Sequence, residues 1–242
     1  MNLICFSHAG GAASTFRLWS AGLPDWLEVW AVQLPGHGSR WSEPPIRTIP
    51  ALVDELIPVL SPCLRRPFAL FGHSMGAVLA SEIARSLKER AGVVPRHLFV
   101  SSRRSPNMQA SETDLHTLPD AELIEEVVRR YGGVPSELLN EPELLALLIP
   151  ALRADLAALE TFRPSNGDRL PCPISAYGGT QDPAVSRSDL EAWRDQTTGS
   201  FRVRVFPGDH FYLDTQRVAL LTDLSATMTP ILRDPRQPAV IA

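Results

Sequence analysis

The chain has few of the residues that hold small secreted domains or zinc sites together. Only three of its 242 residues are cysteines, Cys5, Cys63 and Cys172. An odd number of cysteines without close spacing argues against a disulfide framework and against a zinc site. We therefore expect three small apolar side chains in a reducing compartment, and no bound metal.

Long apolar runs and clusters of like charge are also missing. No apolar stretch approaches the roughly 20 residues that span a bilayer. The first residues, MNLICFSHAGG, lack the basic and apolar regions of a secretory signal. The net charge is −4, with no basic patch of the kind that binds nucleic acid. The sequence therefore predicts a cytoplasmic protein that binds neither membrane nor nucleic acid.

Short apolar runs alternate with stretches of helical spacing along a chain that is 44% hydrophobic. This alternation predicts the α/β class, with a mostly parallel sheet and helices on both faces. The predicted strands are residues 3–6, 27–32, 68–71, 97–101, 174–177 and 202–206. The predicted helices are residues 16–23, 49–60, 77–90, 120–131, 135–139, 141–159, 188–196 and 215–232.

About 60 residues between the fourth and fifth strands carry helical signals but no strand signal. A plain connection is much shorter than this. We expect residues 105–164 to form a helical lid over the sheet's carboxyl edge, inserted into a core of residues 1–104 and 165–242. The lid is rich in leucine, which suits an acyl chain, although we expect most of these leucines to pack within the lid itself.

Residues 72–76, GHSMG, match the G-x-S-x-G pattern between an apolar strand and a helix. Gly72 and Gly76 carry no Cβ, so the strand and the helix can approach closely around Ser74. The helix N-terminus adds backbone N–H groups and a positive dipole end beside the serine. The motif predicts an α/β-hydrolase fold in which Ser74 is the nucleophile.

A serine hydroxyl is a weak nucleophile and needs a base, which in this fold follows the acid in the chain. His210 follows the last predicted strand, from which a loop can reach the serine. His97 opens a strand and His116 lies in the insertion, so we expect neither to act as the base. The sequence predicts His210 as the general base.

The acid is expected at a strand edge between the serine and the base. Asp182 closely follows the fifth strand and is predicted to orient His210. Asp209 neighbours His210 and has poor geometry for contacting its ring. Asp155 and Asp168 lie in the insertion or at its exit, where a lone acid is usually solvated.

An oxyanion hole needs two backbone donors near the nucleophile. One is expected at Met75, directly after the serine, and the other in the loop after the first strand. Ala9 N–H is the preferred second donor and Gly10 the alternative.

Several short motifs together resemble one family, the type II thioesterases that work beside polyketide and nonribosomal peptide synthases. The resemblance covers nearly the whole chain, and an acid after strand five is typical of the stand-alone members. One departure is His37, where members often have arginine. The motifs, in chain order, are HAGG at 8–11, QLPG at 33–36 with Arg40 and EPP at 43–45, GHSMG at 72–76, GG at 178–179 with Asp182, and GDHF at 208–211.

This resemblance implies hydrolysis of acyl or aminoacyl thioesters on the phosphopantetheine arm of carrier proteins, which clears stalled or misprimed carriers. It implies acyl or peptidyl carrier domains as partners, a monomeric enzyme and no cofactor beyond the phosphopantetheine of the partner. Two alternatives stay open. One is a small-molecule carboxylesterase or lipase with the same triad. The other is a non-catalytic relative that binds carriers, against which the presence of all three triad residue types argues.

Overall fold

The computed structural model describes residues 1–108, 114–134, 139–164 and 167–232. Within these residues six parallel strands form one sheet, in the order β2-β1-β3-β4-β5-β6. The predicted α/β class and parallel sheet are confirmed. The strands are β1 (Asn2–Phe6), β2 (Glu28–Ala31), β3 (Phe68–His73), β4 (Leu98–Ser101), β5 (Ile174–Gly179) and β6 (Phe201–Phe206).

Helices connect most of these strands and lie close to their predicted positions. Gly92 follows the second of them in the left-handed conformation (φ 66°), as expected for a glycine that ends a helix. The helices are α1 (Ile49–Leu60), α2 (Met75–Ala91), α3 (Asp120–Tyr131), α4 (Pro142–Glu160), α5 (Arg187–Glu191), α6 (Tyr212–Thr215) and α7 (Arg217–Leu232).

The sheet is apolar on both faces, so neighbouring residues of one strand enter different cores. In β1, Ile4 and Phe6 pack in the cluster that contains buried residues of α1 and α2. Leu3 and Cys5 pack in the opposite cluster with buried residues of α7. Helix packing on both faces explains why the central strands β1, β3, β4 and β5 are buried throughout and appear in the sequence as largely apolar runs. The edge strand β6 instead alternates, with Arg202 and Arg204 between apolar residues.

The strand order reverses beside β1, which has β2 on one side and β3 on the other. In parallel α/β sheets, ligands bind outside the carboxyl ends of the strands at such a point. The loop after β1 and the turn after β3 therefore lie together at the place where this architecture favours a site.

Two predicted helices differ from the structure. The helix predicted at 188–196 is an α-helix only up to Glu191 and continues as a 3-10 turn over Ala192–Gln196. Residues 16–23 do not form one helix but two 3-10 turns, Ala13–Phe16 and Ser20–Gly22. Phe16 and Trp19 are nevertheless buried, because 3-10 turns also place residues three apart on one side. The predicted helix at 135–139 lies almost wholly outside the described residues. None of the helices in the described ranges is long and apolar enough to cross a membrane.

Candidate active site

Ser74 lies in a sharp turn between β3 and α2. Its backbone has φ 54° and ψ −115°, in a region that residues with a side chain rarely adopt. The strain is held by the elements on either side, since Ser74 N–H donates to Ser101 O at 2.8 Å. The side chain is thereby directed to the carboxyl edge of the sheet, where Ser74 lines a cavity.

The two glycines of the motif are required by close backbone contacts. A Cβ on Gly72 would lie 2.0 Å from Gly76 O. A Cβ on Gly76 would lie 2.1 Å from Phe6 O, at the end of β1. These distances leave no room for a methyl group, so the expected role of both glycines in strand–helix packing is confirmed.

His210 and Asp182 meet at the same edge from separate loops. His210 follows β6 and Asp182 follows β5, and His210 Nδ1 lies 2.9 Å from Asp182 Oδ2. Both side chains are buried. The other carboxylate oxygen, Oδ1, accepts hydrogen bonds from Ala184 N–H at 2.9 Å and Val185 N–H at 3.2 Å. The acid is thus fixed by its own loop before it contacts the ring.

Ser74 and His210 line the same cavity. Among the described residues there is no hydrogen bond from Ser74 Oγ to the His210 ring. In enzymes without substrate, catalytic hydrogen bonds are often long or poorly aligned, and they tighten when the substrate binds. The arrangement provides a hydroxyl, an imidazole and a carboxylate in the chain order expected for this fold.

The predicted oxyanion donors lie on the two elements that flank the serine. Met75 is the first residue of α2, so its N–H has no acceptor within the helix. Ala9 lines the cavity beside Ser74. Gly10 N–H, the alternative donor, is already bonded to Asp155 Oδ2 at 2.8 Å, which favours Ala9.

Two further histidines lie near the reacting groups. Burial, followed by the nearby His210 and then His37, lowers the pKa of His8 to about 4. Burial first, then His210 and His8, lowers the pKa of His73 well below its usual value. Both rings are therefore neutral at pH 7. His73 Nδ1 contacts Ser101 Oγ at 2.9 Å and does not turn toward the serine beside it.

The cavity in front of Ser74 has a volume of about 210 Å³ and is mainly apolar. One end is formed by Ser74, His210 and the loop after β1. The other walls come from α3, α4 and residues 132–134. The aliphatic lining consists of Ile124, Val127, Val134, Leu145, Leu148, Ile149, Leu152, Leu156 and Leu159. Some of the leucines of the predicted insertion therefore face the cavity, while Leu144 and Leu147 are exposed.

One cluster in the described residues has the composition of a metal site: Asp114, His116 and Glu160. The Glu160 carboxylate already accepts hydrogen bonds from Leu115 N–H and His116 N–H, and it also contacts His116 Nδ1. With these donors the carboxylate ties the turn at 115–117 to α4. The cluster is accounted for by this packing role.

The expectation for Asp155 is wrong. Its side chain is buried, 1% exposed, and it contacts both Gly10 N–H and His37 Nε2. A signal was present in the sequence, because Leu152, Leu156 and Leu159 lie on the same face of a helix as residue 155. Helical spacing therefore indicates an inward-facing carboxylate. Asp168, in contrast, is exposed as expected.

Comparison with known proteins gives a consistent result. The family model of the thioesterase domain matches residues 1–228. The gramicidin S biosynthesis protein GrsT of Aneurinibacillus migulanus is 40% identical over 213 residues, which cover 88% of this chain and 83% of GrsT.

Two solved structures are similar to the whole fold. RedJ, a thioesterase from the prodiginine pathway of Streptomyces coelicolor, has a TM-score of 0.86 and 41% identity, covering 93% of this chain and 84% of RedJ. The type II thioesterase BorB from the borrelidin biosynthetic cluster has a TM-score of 0.85 and 40% identity, covering 93% and 91%. With a family match over nearly its whole length and the serine, histidine and aspartate at one sheet edge, the chain belongs to the thioesterase family.

Proposed function

We propose that this chain hydrolyses acyl or aminoacyl thioesters on the phosphopantetheine arm of carrier proteins, and so clears blocked carriers of a polyketide or nonribosomal peptide synthase. The observation that carries the proposal is the apolar cavity that ends at Ser74, with His210 and Asp182 bonded to each other beside it. Thioester hydrolysis needs a nucleophile, a base and room for the acyl chain, and the site supplies all three.

In the first step, Ser74 Oγ attacks the thioester carbonyl while His210 Nε2 takes its proton. The carbonyl oxygen becomes an oxyanion, which accepts hydrogen bonds from Ala9 N–H and Met75 N–H. The carbon–sulfur bond then breaks, and the sulfur leaves as a thiol with the proton from His210. Each oxyanion donor contributes about 2.7–4 kcal/mol to the transition state.

In the second step, water attacks the acyl ester on Ser74 as His210 Nε2 accepts one of its protons. The bond from the acyl carbon to Ser74 Oγ breaks, and His210 returns the proton to that oxygen. The products are a free carboxylic acid and the regenerated serine. Asp182 accepts the Nδ1–H of His210 and stabilises the imidazolium in both steps. Neither step requires a metal or a cofactor other than the carrier's phosphopantetheine.

The described part of residues 105–164 acts as the lid of this site, over a core of residues 1–104 and 165–242. Its helices α3 and α4 supply most of the aliphatic wall. Such a wall suits an aliphatic acyl chain better than a charged one, since a charge placed against it would lose its hydration. The partners are acyl or peptidyl carrier domains, which the enzyme visits as a monomer. Relatives such as GrsT and BorB, from biosynthetic pathways, support this role.

The test is release of free acid from a panel of loaded carrier proteins, followed by mass spectrometry, beside oxygen esters with the same acyl chains. We expect faster cleavage of the carrier thioesters than of the matched esters. The opposite ranking would favour a small-molecule carboxylesterase or lipase. The Ser74→Ala variant serves as the control, because a non-catalytic carrier-binding protein would show the same background rate with and without this hydroxyl.

A further inference from the structure

One oxygen atom joins three separate segments of the chain beneath the lid. Asp155 lies on α4, and its Oδ2 accepts a hydrogen bond from Gly10 N–H, in the loop after β1, at 2.8 Å. The same Oδ2 lies 2.8 Å from Nε2 of His37, in the loop after β2. Both side chains are buried. A buried carboxylate in an aliphatic helix face is costly unless its charge is compensated, so this contact needs an explanation beyond packing.

The hydrogen-bond pattern fixes where the protons lie. His37 Nδ1 is 2.9 Å from Pro35 O, a carbonyl that can only accept, so Nδ1 carries a hydrogen. The contact between Nε2 and Oδ2 then requires one proton between them. Because Gly10 N–H also donates to Oδ2, the ionised carboxylate is favoured, and an imidazolium N–H donates to it. The pair is therefore internally neutral and holds Gly10 with a charge-assisted bond.

Gly10 also lies close to the same helix. Its backbone has φ +74°, and a Cβ placed on it would lie 3.2 Å from Leu152 Cδ1 on α4. Leu152 and Leu156, on the same helix face as Asp155, line the cavity. The helix that forms the acyl wall is thus bonded directly to the residue after Ala9.

We propose that Asp155 and His37 are positioning residues that bind the oxyanion loop to the lid helix, so that Ala9 N–H points at the oxyanion only while α4 is seated on the core. The inference rests on the proposed function, in which Ala9 N–H is an oxyanion donor. Neither residue touches the substrate. Their effect reaches the reaction through the backbone of residues 9 and 10.

The test compares Asp155→Ala, which removes the acceptor of Gly10 N–H, with Asp155→Asn, which retains an oxygen for it. The exposed Asp168→Asn is the matched control. The concentration of competent sites is first measured from the p-nitrophenol that is released stoichiometrically when an aryl phosphate triester labels Ser74. For an acyl-carrier thioester, kcat is then calculated per competent site, and KM is measured in the same assay. Misfolded protein is thus not counted, so it does not lower kcat.

We expect Asp155→Ala to lower kcat per site about 10- to 100-fold with KM changed less than about threefold, a partial loss of the effect of one oxyanion donor. The rate at which Ser74 is labelled should fall in parallel with kcat. The kcat per site of Asp155→Asn should lie between the values of Asp155→Ala and the parent. Asp168→Asn should have the same kcat per site as the parent. A purely structural role would lower the number of sites but leave kcat per site unchanged, and this result would overturn the inference. If labelling changes as expected while the parent cleaves no carrier thioester, the proposed substrate fails and the positioning role stands.

Discussion

Replacement of Asp182 by asparagine tests the proposed acid with almost no change of shape. In the parent, Oδ1 accepts from Ala184 N–H and Val185 N–H, while Oδ2 faces His210 Nδ1. An asparagine has only one oxygen. In the flipped orientation, the amide NH2 of the asparagine would face the N–H donors of Ala184 and Val185. The side-chain oxygen therefore stays at the Oδ1 position, where it accepts from both. The NH2 group must then point at His210.

This orientation reverses the tautomer of the base. The NH2 group donates to Nδ1, which can accept only when its hydrogen is absent, and the ring hydrogen moves to Nε2. A protonated Nε2 cannot take the proton of Ser74. A forced tautomer of this kind lowers kcat about 10⁴-fold in Ser-His-Asp enzymes, equivalent to about 5.4 kcal/mol in activation free energy. The free energy of unfolding should change by less than about 1.5 kcal/mol, because both backbone hydrogen bonds remain.

The assay follows the thiol released from an acyl-carrier thioester with a chromogenic disulfide. Asp209→Asn is the control. Among the described residues the Asp209 carboxylate accepts only the Phe211 N–H, in its own turn, so this variant should keep kcat within about threefold of the parent. The reasoning is refuted if Asp182→Asn keeps more than about a tenth of the parent kcat. Loss of activity in Asp209→Asn would then identify Asp209 as the acid, and an active Asp209→Asn would make Asp214 the next acid to replace.

Two further predictions concern stability. Gly76→Ala should lower the free energy of unfolding by about 1–3 kcal/mol or more, because the added Cβ would overlap Phe6 O. Urea unfolding measures this change. A decrease of less than about 0.5 kcal/mol would contradict the close contact. Burial, followed by the charge of Arg202, lowers the pKa of His97 to about 3, although Asp223 opposes the shift. Below about pH 6.5 the unfolded chain therefore takes up a proton on this histidine that the folded chain does not. The folded state loses stability as the pH falls from about 6.5 toward 3. At pH 5 the depressed pKa of His97 lowers the free energy of unfolding by about 2 kcal/mol. When the pH falls from 7.5 to 5, the free energy of unfolding of His97→Gln should therefore decrease by about 2 kcal/mol less than that of the parent. Equal decreases in the two proteins would refute the assignment.

The central strands could be predicted because helices pack on both faces of the sheet. Both faces are covered, so each central strand is marked by a largely apolar run. The edge strand β6 is marked instead by apolar residues that alternate with Arg202 and Arg204. The stretch at 16–23 was predicted less well, since Phe16 and Trp19 are three apart and their spacing fits both an α-helix and 3-10 turns. Periodicity alone does not distinguish the two.

The residues of the proposed site differ in how clearly the sequence indicates them. Ser74 is marked by a local motif whose glycines meet backbone atoms, and His210 and Asp182 follow from chain order and strand ends. Asp155 was not predicted, because its partners Gly10 and His37 are 145 and 118 residues away in the chain. The helical spacing of the neighbouring leucines indicates that residue 155 faces inward, but no local pattern identifies partners so distant in the chain.

Helices α3 and α4 approach both the His210 ring and the loop that carries the proposed oxyanion donor Ala9. At the end of α3, the Tyr131 ring lies 5.1 Å from His210, and on α4 the cavity-lining Leu152 adjoins Asp155, which holds Gly10. In the proposed mechanism, an acyl chain that packs against α4 stabilises the seated helix and, through Asp155, the oxyanion loop. Binding energy from the non-reacting end of the substrate then stabilises the transition state at the carbonyl. A preferred acyl chain should therefore raise kcat as well as lower KM.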